Sequence, residues 1–334
     1  MTRSYAVRDL SEGDPGWLAS LSIAQLGAGF AAGHWSPVEV LAAVSARIDE
    51  AEPTINALAE RLDGCAEAVG AAQAAAARWL AGSPLGPLDG IPVTVKENLA
   101  RTGVPLRSGS AGSTPRVPSE DSPVVARLKS AGAVIVGTTT MPDWGMLSSG
   151  LSSLYGVSRS PLDPTLTTGG SSGGAGAAAA AGYGAVHIGT DIGGSIRLPA
   201  TWLGLVGHKP SYGRVPLESP YLGRVAGPIT RNVADTAAAM AVISGHDSRD
   251  WTALPAAQLD WSVGGAGSGV RGLRVGLLVD AGAGMPCDPA LREAHRGGGS
   301  ALCRSGGCCG GVGAMAERSD ARCAGPVLAD AAVV

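Results

Sequence analysis

The stretch from Thr167 to Pro199, TTGGSSGGAGAAAAAGYGAVHIGTDIGGSIRLP, carries two glycine-framed serine sites joined by an alanine run. The first is Gly169-Gly170-Ser171-Ser172-Gly173-Gly174 and the second is Asp191-Ile192-Gly193-Gly194-Ser195, with the apolar segment Ala185 to Ile188 between them. Glycine beside serine lets the backbone turn tightly or take a positive φ. It also removes the side chains that would keep a substrate from the hydroxyl and the nearby N–H groups. One GGSSGG on its own reads equally well as a flexible loop. A third feature narrows the reading: in Gly90-Ile91-Pro92-Val93-Thr94-Val95-Lys96-Glu97-Asn98 a lysine ends a β-branched run with the pattern of a buried strand. A lysine so placed must either reach solvent or be held neutral.

A serine hydroxyl is a weak nucleophile and needs a base within hydrogen-bond reach. The five histidines, His34, His187, His208, His246 and His295, are not sequence neighbours of a glycine-framed serine. Lysine can take that role when burial and hydrogen bonding lower its pKa. The segment Ser195-Ile196-Arg197-Leu198-Pro199-Ala200 predicts a helix that begins at or just after Ser195. Unpaired N–H groups at such a helix start favour developing negative charge. Asp191 and Arg197 flank this turn with opposite charges and read as a buried ion pair fixing the loop, in preference to direct substrate contacts.

Together Lys96, the GGSSGG serines and GTDIGGSIRLPA closely resemble the amidase signature family, over roughly Ser20 to Val279. The resemblance implies hydrolysis of a small-molecule amide by a Ser-cisSer-Lys triad through an acyl-enzyme, with no cofactor and no metal. Ser195 is then the nucleophile, Ser171 the bridging serine with a cis peptide bond, and Lys96 the base. As a hydroxyl, Ser171 can accept a proton on one side while donating on the other. Backbone N–H groups of Ile192, Gly193 and Gly194 form the oxyanion hole in this reading, and Met141, Gly170 and Ser172 contact substrate. Met141 and Trp144 read equally well as core filler.

The formal net charge of -3 and the absence of a Lys/Arg cluster argue against nucleic acid as a direct partner. No apolar leader or bilayer-length run is visible, so a cytoplasmic protein without membrane contact is expected. Oligomeric state stays open, a homodimer included. Ser36-Pro37-Val38-Glu39 is a capping box and predicts a helix over 36–51. Further helices are expected over 56–80, 121–131 and 232–244, and strands at 133–138, 205–208 and 273–279. Helices alternating with short apolar strands predict an α/β fold, a mixed β-sheet covered by helices on both faces.

Three other functional readings compete with this one. Gly170-Ser171-Ser172-Gly173-Gly174 satisfies the nucleophile elbow G-x-S-x-G, with Ser172 as nucleophile and His208 or His246 as base, but no strand pattern precedes it. A nucleotide-binding module lacks its glycine-lysine fingerprint. Within the family, the amidase subunit of a tRNA-dependent amidotransferase shares the triad; Thr190-Asp191-Ile192 and Leu198-Pro199 favour a stand-alone amidase acting on small or aryl carboxamides. The catalytic domain is expected over 1–294. Residues 295–334, where glycines are dense and Cys303, Cys308, Cys309 and Cys323 fall, read as an aberrant, disordered tail from a shifted reading frame, which would leave a truncated, inactive family member. These cysteines, with Cys287, lack zinc-site spacing.

Overall fold

A computed structural model describes residues 16–218, 220–263, 269, 273–278, 288–304 and 308–311. The chain divides into two compact units, Met1–Ser262 and Val263–Val334.

The first unit opens with helices α1 (Trp17–Ser20), α2 (Ile23–Ala32) and α3 (Pro37–Ile55). Ser36 caps α3 through the expected box: its hydroxyl accepts from Glu39 N–H, while the Glu39 carboxylate accepts from Ser36 N–H. There follow β1 (Leu58–Arg61), α4 (Ala66–Leu80), β2 (Pro92–Lys96), α5 (Pro123–Ser130) and β3 (Val134–Thr139). A short ribbon of β4 (Leu151–Ser152) and β5 (Gly156–Val157) precedes α6 (Gly173–Ala181), β6 (Val186–Asp191) and α7 (Arg197–Trp202). The unit closes with β7 (Val206–Gly207), β8 (Val225–Thr230) and α8 (Val233–Ile243).

The sheet runs β1-β3-β2-β6-β8-β7. Its centre, β3-β2-β6, is parallel, and β1, β8 and β7 add antiparallel pairings. This is the mixed α/β sheet the sequence predicts. Because alternate strand residues face opposite sides, Val93 and Val95 join one apolar cluster with residues of α2, α5 and α8. Val134 and Val136 join another, built with α3, α4 and α6. The alternation leaves Thr94 and Lys96 of β2 facing away from Val93 and Val95, on the side where α6 lies.

Every residue of α6 is buried, which explains its composition. A helix enclosed on all sides has no polar face, and small side chains let its neighbours approach closely. A Cβ on Gly174 would lie 2.4 Å from the Ala57 carbonyl oxygen, and one on Gly176 would lie 3.0 Å from Pro199 Cβ. The alanine-glycine run is therefore a packing solution that holds the GGSSGG turn against the sheet.

The helical reading of 56–80 is corrected. Asn56 ends α3 in the left-handed region (φ 51°), and Leu58–Arg61 becomes an edge strand paired with β3 before α4 begins. Asn56 Nδ2 donates to the Tyr155 carbonyl oxygen, a long-range bond that local propensity does not encode. In the second unit, β9 (Arg274–Leu277) and β10 (Cys308–Gly311) pair in parallel, and α9 (Pro289–Arg304) lies between them in sequence. The helix thus runs ten residues past Ala294, where the expected domain boundary falls. The expectations for Cys287, Val279 and residues 312–334 lie outside the described residues.

Candidate active site

Lys96 closes β2 with its side chain fully buried, and its amine meets three hydroxyls. Nζ lies 2.8 Å from Ser171 Oγ, 3.1 Å from Ser172 Oγ and 3.2 Å from Thr190 Oγ1. Burial, with Arg224 adding to it, brings the lysine pKa down to about 7 against the opposing influence of Asp191 and Glu97. Desolvation disfavours the ammonium, and three neutral oxygens replace water without restoring a counter-charge.

The Gly170-Ser171 peptide bond is cis. Gly170 is buried where a Cβ would lie within 2.5 Å of the Ser149 carbonyl oxygen and 2.8 Å of that of Leu147, so this position requires glycine. Ser172 is fully buried. Its hydroxyl donates to the Thr190 carbonyl and accepts from Thr190 N–H, besides meeting Lys96. A substrate-contacting side chain at Ser172 is corrected on this ground: it is an interior link between Lys96 and β6. The elbow reading loses its nucleophile for the same reason, since a hydroxyl sealed from solvent cannot reach a carbonyl carbon.

Ser195 sits in the turn between β6 and α7, half-buried, and its carbonyl accepts from Ser172 N–H at 3.0 Å, which ties the two serine sites together. The Ser195 hydroxyl makes no hydrogen bond to any described residue. Asp191 organises this turn. Its carboxylate accepts from the N–H groups of Gly194, Ile196 and Arg197 and pairs with the Arg197 guanidinium at 2.8 Å. Burial works to raise the Asp191 pKa, yet the Arg197 contact and the backbone donors outweigh it and hold the value at about 2. The ion pair expected from the sequence is present, with Asp191 as its enclosed member.

Two expectations for this turn change. The helix begins at Arg197, and its first N–H groups point to Asp191 instead of lying open to a ligand. Gly194 N–H is likewise engaged with Asp191. Of the three oxyanion donors expected, Ile192 and Gly193 remain, both on exposed residues.

Met141 is buried, and a Cβ on Gly145 would lie 3.2 Å from Met141 Cε and 3.3 Å from Ser171 Oγ. Gly145 therefore leaves space between Met141 and Ser171. The neighbouring Trp144 is 62% exposed with φ 54°, which sets aside the core-filler reading for this residue. Ile192 is 54% exposed. Sequence reasoning missed Thr190 and Asn98, whose side chains meet at 3.0 Å (Nδ2 to Oγ1) behind Lys96. Their signal was positional: Asn98 follows Lys96 by two residues and Thr190 precedes Asp191. Glu97, also buried, accepts from Tyr155 Oη at 2.8 Å, and burial raises its pKa. Among the described residues no cluster of His, Cys, Asp and Glu is arranged to hold a metal ion, and no helix is long and apolar enough to cross a membrane.

Comparison with known proteins finds both relatives in sequence and neighbours in structure. The A subunit of glutamyl-tRNA(Gln) amidotransferase from Rhodopirellula baltica is 42% identical over 273 residues, covering 78% of this chain and 53% of the relative. Its counterpart from Chloroflexus aurantiacus is 42% identical over 268 residues, covering 78% and 54%. The chain thus spans about half the length of the curated relatives it matches. Among solved structures, a bacterial aryl acylamidase of the amidase signature family superposes with a TM-score of 0.79 at 30% identity, covering 87% of this chain and 61% of that one. The peptide amidase of Stenotrophomonas maltophilia gives 0.77 at 29%, covering 89% and 63%. The family model described as Amidase matches residues 39–307, and on that match, together with these relatives, the chain belongs to the amidase family.

Proposed function

We propose that this protein hydrolyses a linear carboxamide to a carboxylate and ammonia or an amine, using Ser195, Ser171 and Lys96. The observation that carries the reading is the buried amine of Lys96, 2.8 Å from Ser171 Oγ, with its pKa brought down to about 7. A neutral amine is a base and an ammonium is not. In the forward step Ser195 Oγ attacks the amide carbonyl carbon. Its proton passes to Ser171 Oγ as the Ser171 proton passes to Lys96 Nζ. The carbonyl oxygen, now negative, takes hydrogen bonds from Ile192 and Gly193 N–H, in a turn that Asp191 holds rigid. Collapse breaks the C–N bond. The leaving nitrogen recovers the proton by the reverse path and departs, and water then cleaves the ester formed on Ser195 by the same relay.

The acyl group we assign is small or aryl, because the apolar Met141 lies beside Ser171, a Cβ on Gly145 being 3.2 Å from Met141 Cε and 3.3 Å from Ser171 Oγ. A second reading has a specific observation in its favour: the curated relatives at 42% identity are amidotransferase subunits, whereas the solved amidases compared lie near 30%. In that reading the substrate is glutamine and partner subunits use the ammonia. The free thiols of Cys65 and Cys303 go with a reducing, cytoplasmic setting for either reading. A panel of aryl, aliphatic and peptide amides beside glutamine, assayed by ammonia or amine release on the purified chain, tests the proposal. Turnover of aryl or aliphatic amides supports it. Glutamine turnover alone transfers the assignment to the second reading.

A further inference from the structure

The reaction proposed above makes no use of Arg224, yet the fold brings this arginine to the serine turn. Strands β6 and β8 are antiparallel, and their last pair on the side of that turn is Asp191 with Val225. The next residues outward are Ile192 and Arg224. A Cβ on Gly223 would lie 3.8 Å from Ile192 Cγ2, so the chain entering β8 runs alongside Ile192. Arg224 N–H donates to the Tyr221 carbonyl at 2.9 Å, which closes a turn directly before the strand. Ile192, Gly193, Leu222 and Gly223 are exposed, and Arg224 is partly buried beside them.

The charge of Arg224 also reaches the base. Three charged groups act on Lys96, and Arg224 comes first among them, ahead of Asp191 and of Glu97, the next residue in the chain. A Coulomb interaction weakens with distance, so the guanidinium lies toward the Lys96 amine. The two acids are turned inward: Asp191 is held by Arg197 and by backbone N–H groups, and Glu97 is buried against the Tyr155 hydroxyl. The apex at Ile192 and Gly193, where the substrate carbonyl sits in the proposed reaction, is thus bordered by a cation. We propose that Arg224 is a specificity-determining residue: its guanidinium receives a carboxylate carried by the substrate, so the amide taken by this site bears an anionic group. Guanidinium and carboxylate form charge-assisted, often bidentate pairs, which orient a substrate as well as hold it. The inference rests on the amidase reading above. It adds a second group to the substrate and leaves the small or aryl acyl assignment as it stands.

The test compares two kinds of fluorophosphonate in covalent labelling of Ser195 on the full chain at about pH 9, one with a neutral alkyl tail and one whose tail ends in a carboxylate, over several tail lengths. With either probe the Ser195 Oγ–P bond forms, the P–F bond breaks, and fluoride leaves as the Ser195 proton passes through Ser171 to Lys96. For the wild type we expect the carboxylated probe to react about tenfold faster than its neutral counterpart at the best length, the size expected of one charge-assisted pair. Arg224→Gln should bring this ratio to about one. Arg224→Lys, the variant that keeps the charge and so the local fold, should retain part of it. The ratio is the quantity to read, because removing the cation also relieves its repulsion of Lys96 and changes both probes together. An arginine that only ties down its turn, or only tunes Lys96, would leave the ratio of Arg224→Gln equal to that of the wild type, and this result would overturn the proposal. So would a wild-type ratio of one or less at every length. Labelling by neither probe, or labelling that survives Ser195→Ala, would instead remove the amidase reading itself, so the two failures are distinguishable.

Discussion

Lys96 makes the sharpest prediction. Its pKa falls from an ordinary 10.5 to about 7 while its side chain stays inaccessible to solvent. A difference of that size corresponds to about 5 kcal/mol between the two protonation states. Two consequences follow, and both rise with pH. The neutral fraction of the amine rises roughly tenfold between pH 6 and pH 8, and labelling or turnover should follow it before levelling off. Stability should also rise with pH between about 7 and 10.5, because there the unfolded chain binds the lysine proton and the folded chain does not. Denaturant titrations at pH 7, 8 and 9 measure this second effect, with Lys96→Met as the reference in which the lysine contribution to the slope is gone. Lys96→Arg should be inactive at every pH, since a guanidinium keeps its proton throughout the range. An activity profile flat from pH 6 to 8, or an active Lys96→Arg protein, would refute the assignment of Lys96 as a neutral base. Because a buried guanidinium can also disturb folding, the wild-type pH profile stands as the independent arm.

Ser195→Ala should abolish fluorophosphonate labelling, whereas Ser172→Ala, which leaves one Lys96 N–H without its acceptor, should slow it by about 10- to 100-fold, the kinetic equivalent of a 1–3 kcal/mol unsatisfied buried donor. Asp191→Asn should cost about 2 kcal/mol at neutral pH, read as a fall in Tm. The wild-type share of that stability is present above the unfolded carboxyl pKa of 3.8 and is lost as pH falls toward about 2, so the difference between the two proteins should close on acidification. Gly189→Ala places a Cβ 2.7 Å from Ser172 Oγ, so it should destabilise by about 1–3 kcal/mol and slow labelling through displaced Ser172, a coupling that a combined Tm and rate measurement detects.

What could be read from the sequence and what could not divide along a physical line. The α3 capping box, the β2 and β3 runs and the helix after Asn232 are local patterns, and all of them form; Asn232 itself caps α8 by accepting from Asp235 N–H. The strand at Leu58–Arg61 was hidden because its polar residues are those of an edge, and because Asn56 ends α3 through a contact with Tyr155, 99 positions away. The Ser171 and Lys96 pairing was legible as two motifs, yet only the fold brings them together, since 75 residues separate them. Ser172 was misjudged because sequence cannot distinguish the two adjacent serines. Folding brings both hydroxyls to Lys96 Nζ, at 2.8 and 3.1 Å, and ties that of Ser172 further to the backbone of Thr190 in β6.

Asp191 shows why a glycine-framed serine needs more than glycine. Flexible glycines alone would leave the Ile192 to Ser195 turn with many conformations, and each oxyanion donor would have to be ordered at the moment of reaction. The Asp191 carboxylate binds the N–H groups of Gly194, Ile196 and Arg197 in advance, and Arg197 neutralises the charge that this enclosure would otherwise strand. The helix start is thus occupied by an internal anion instead of a substrate oxygen. In the proposed reaction the donors left for substrate are those at Ile192 and Gly193, at the exposed apex of the turn. Glycine at 193 keeps that apex open, because a Cβ there would meet nothing within 4 Å and the space beside it is solvent. Rigidity therefore comes from an aspartate behind the turn and access from the glycine in front of it, and substituting either should affect labelling by a different route: Asp191 through stability and order, Gly193 through approach of the substrate.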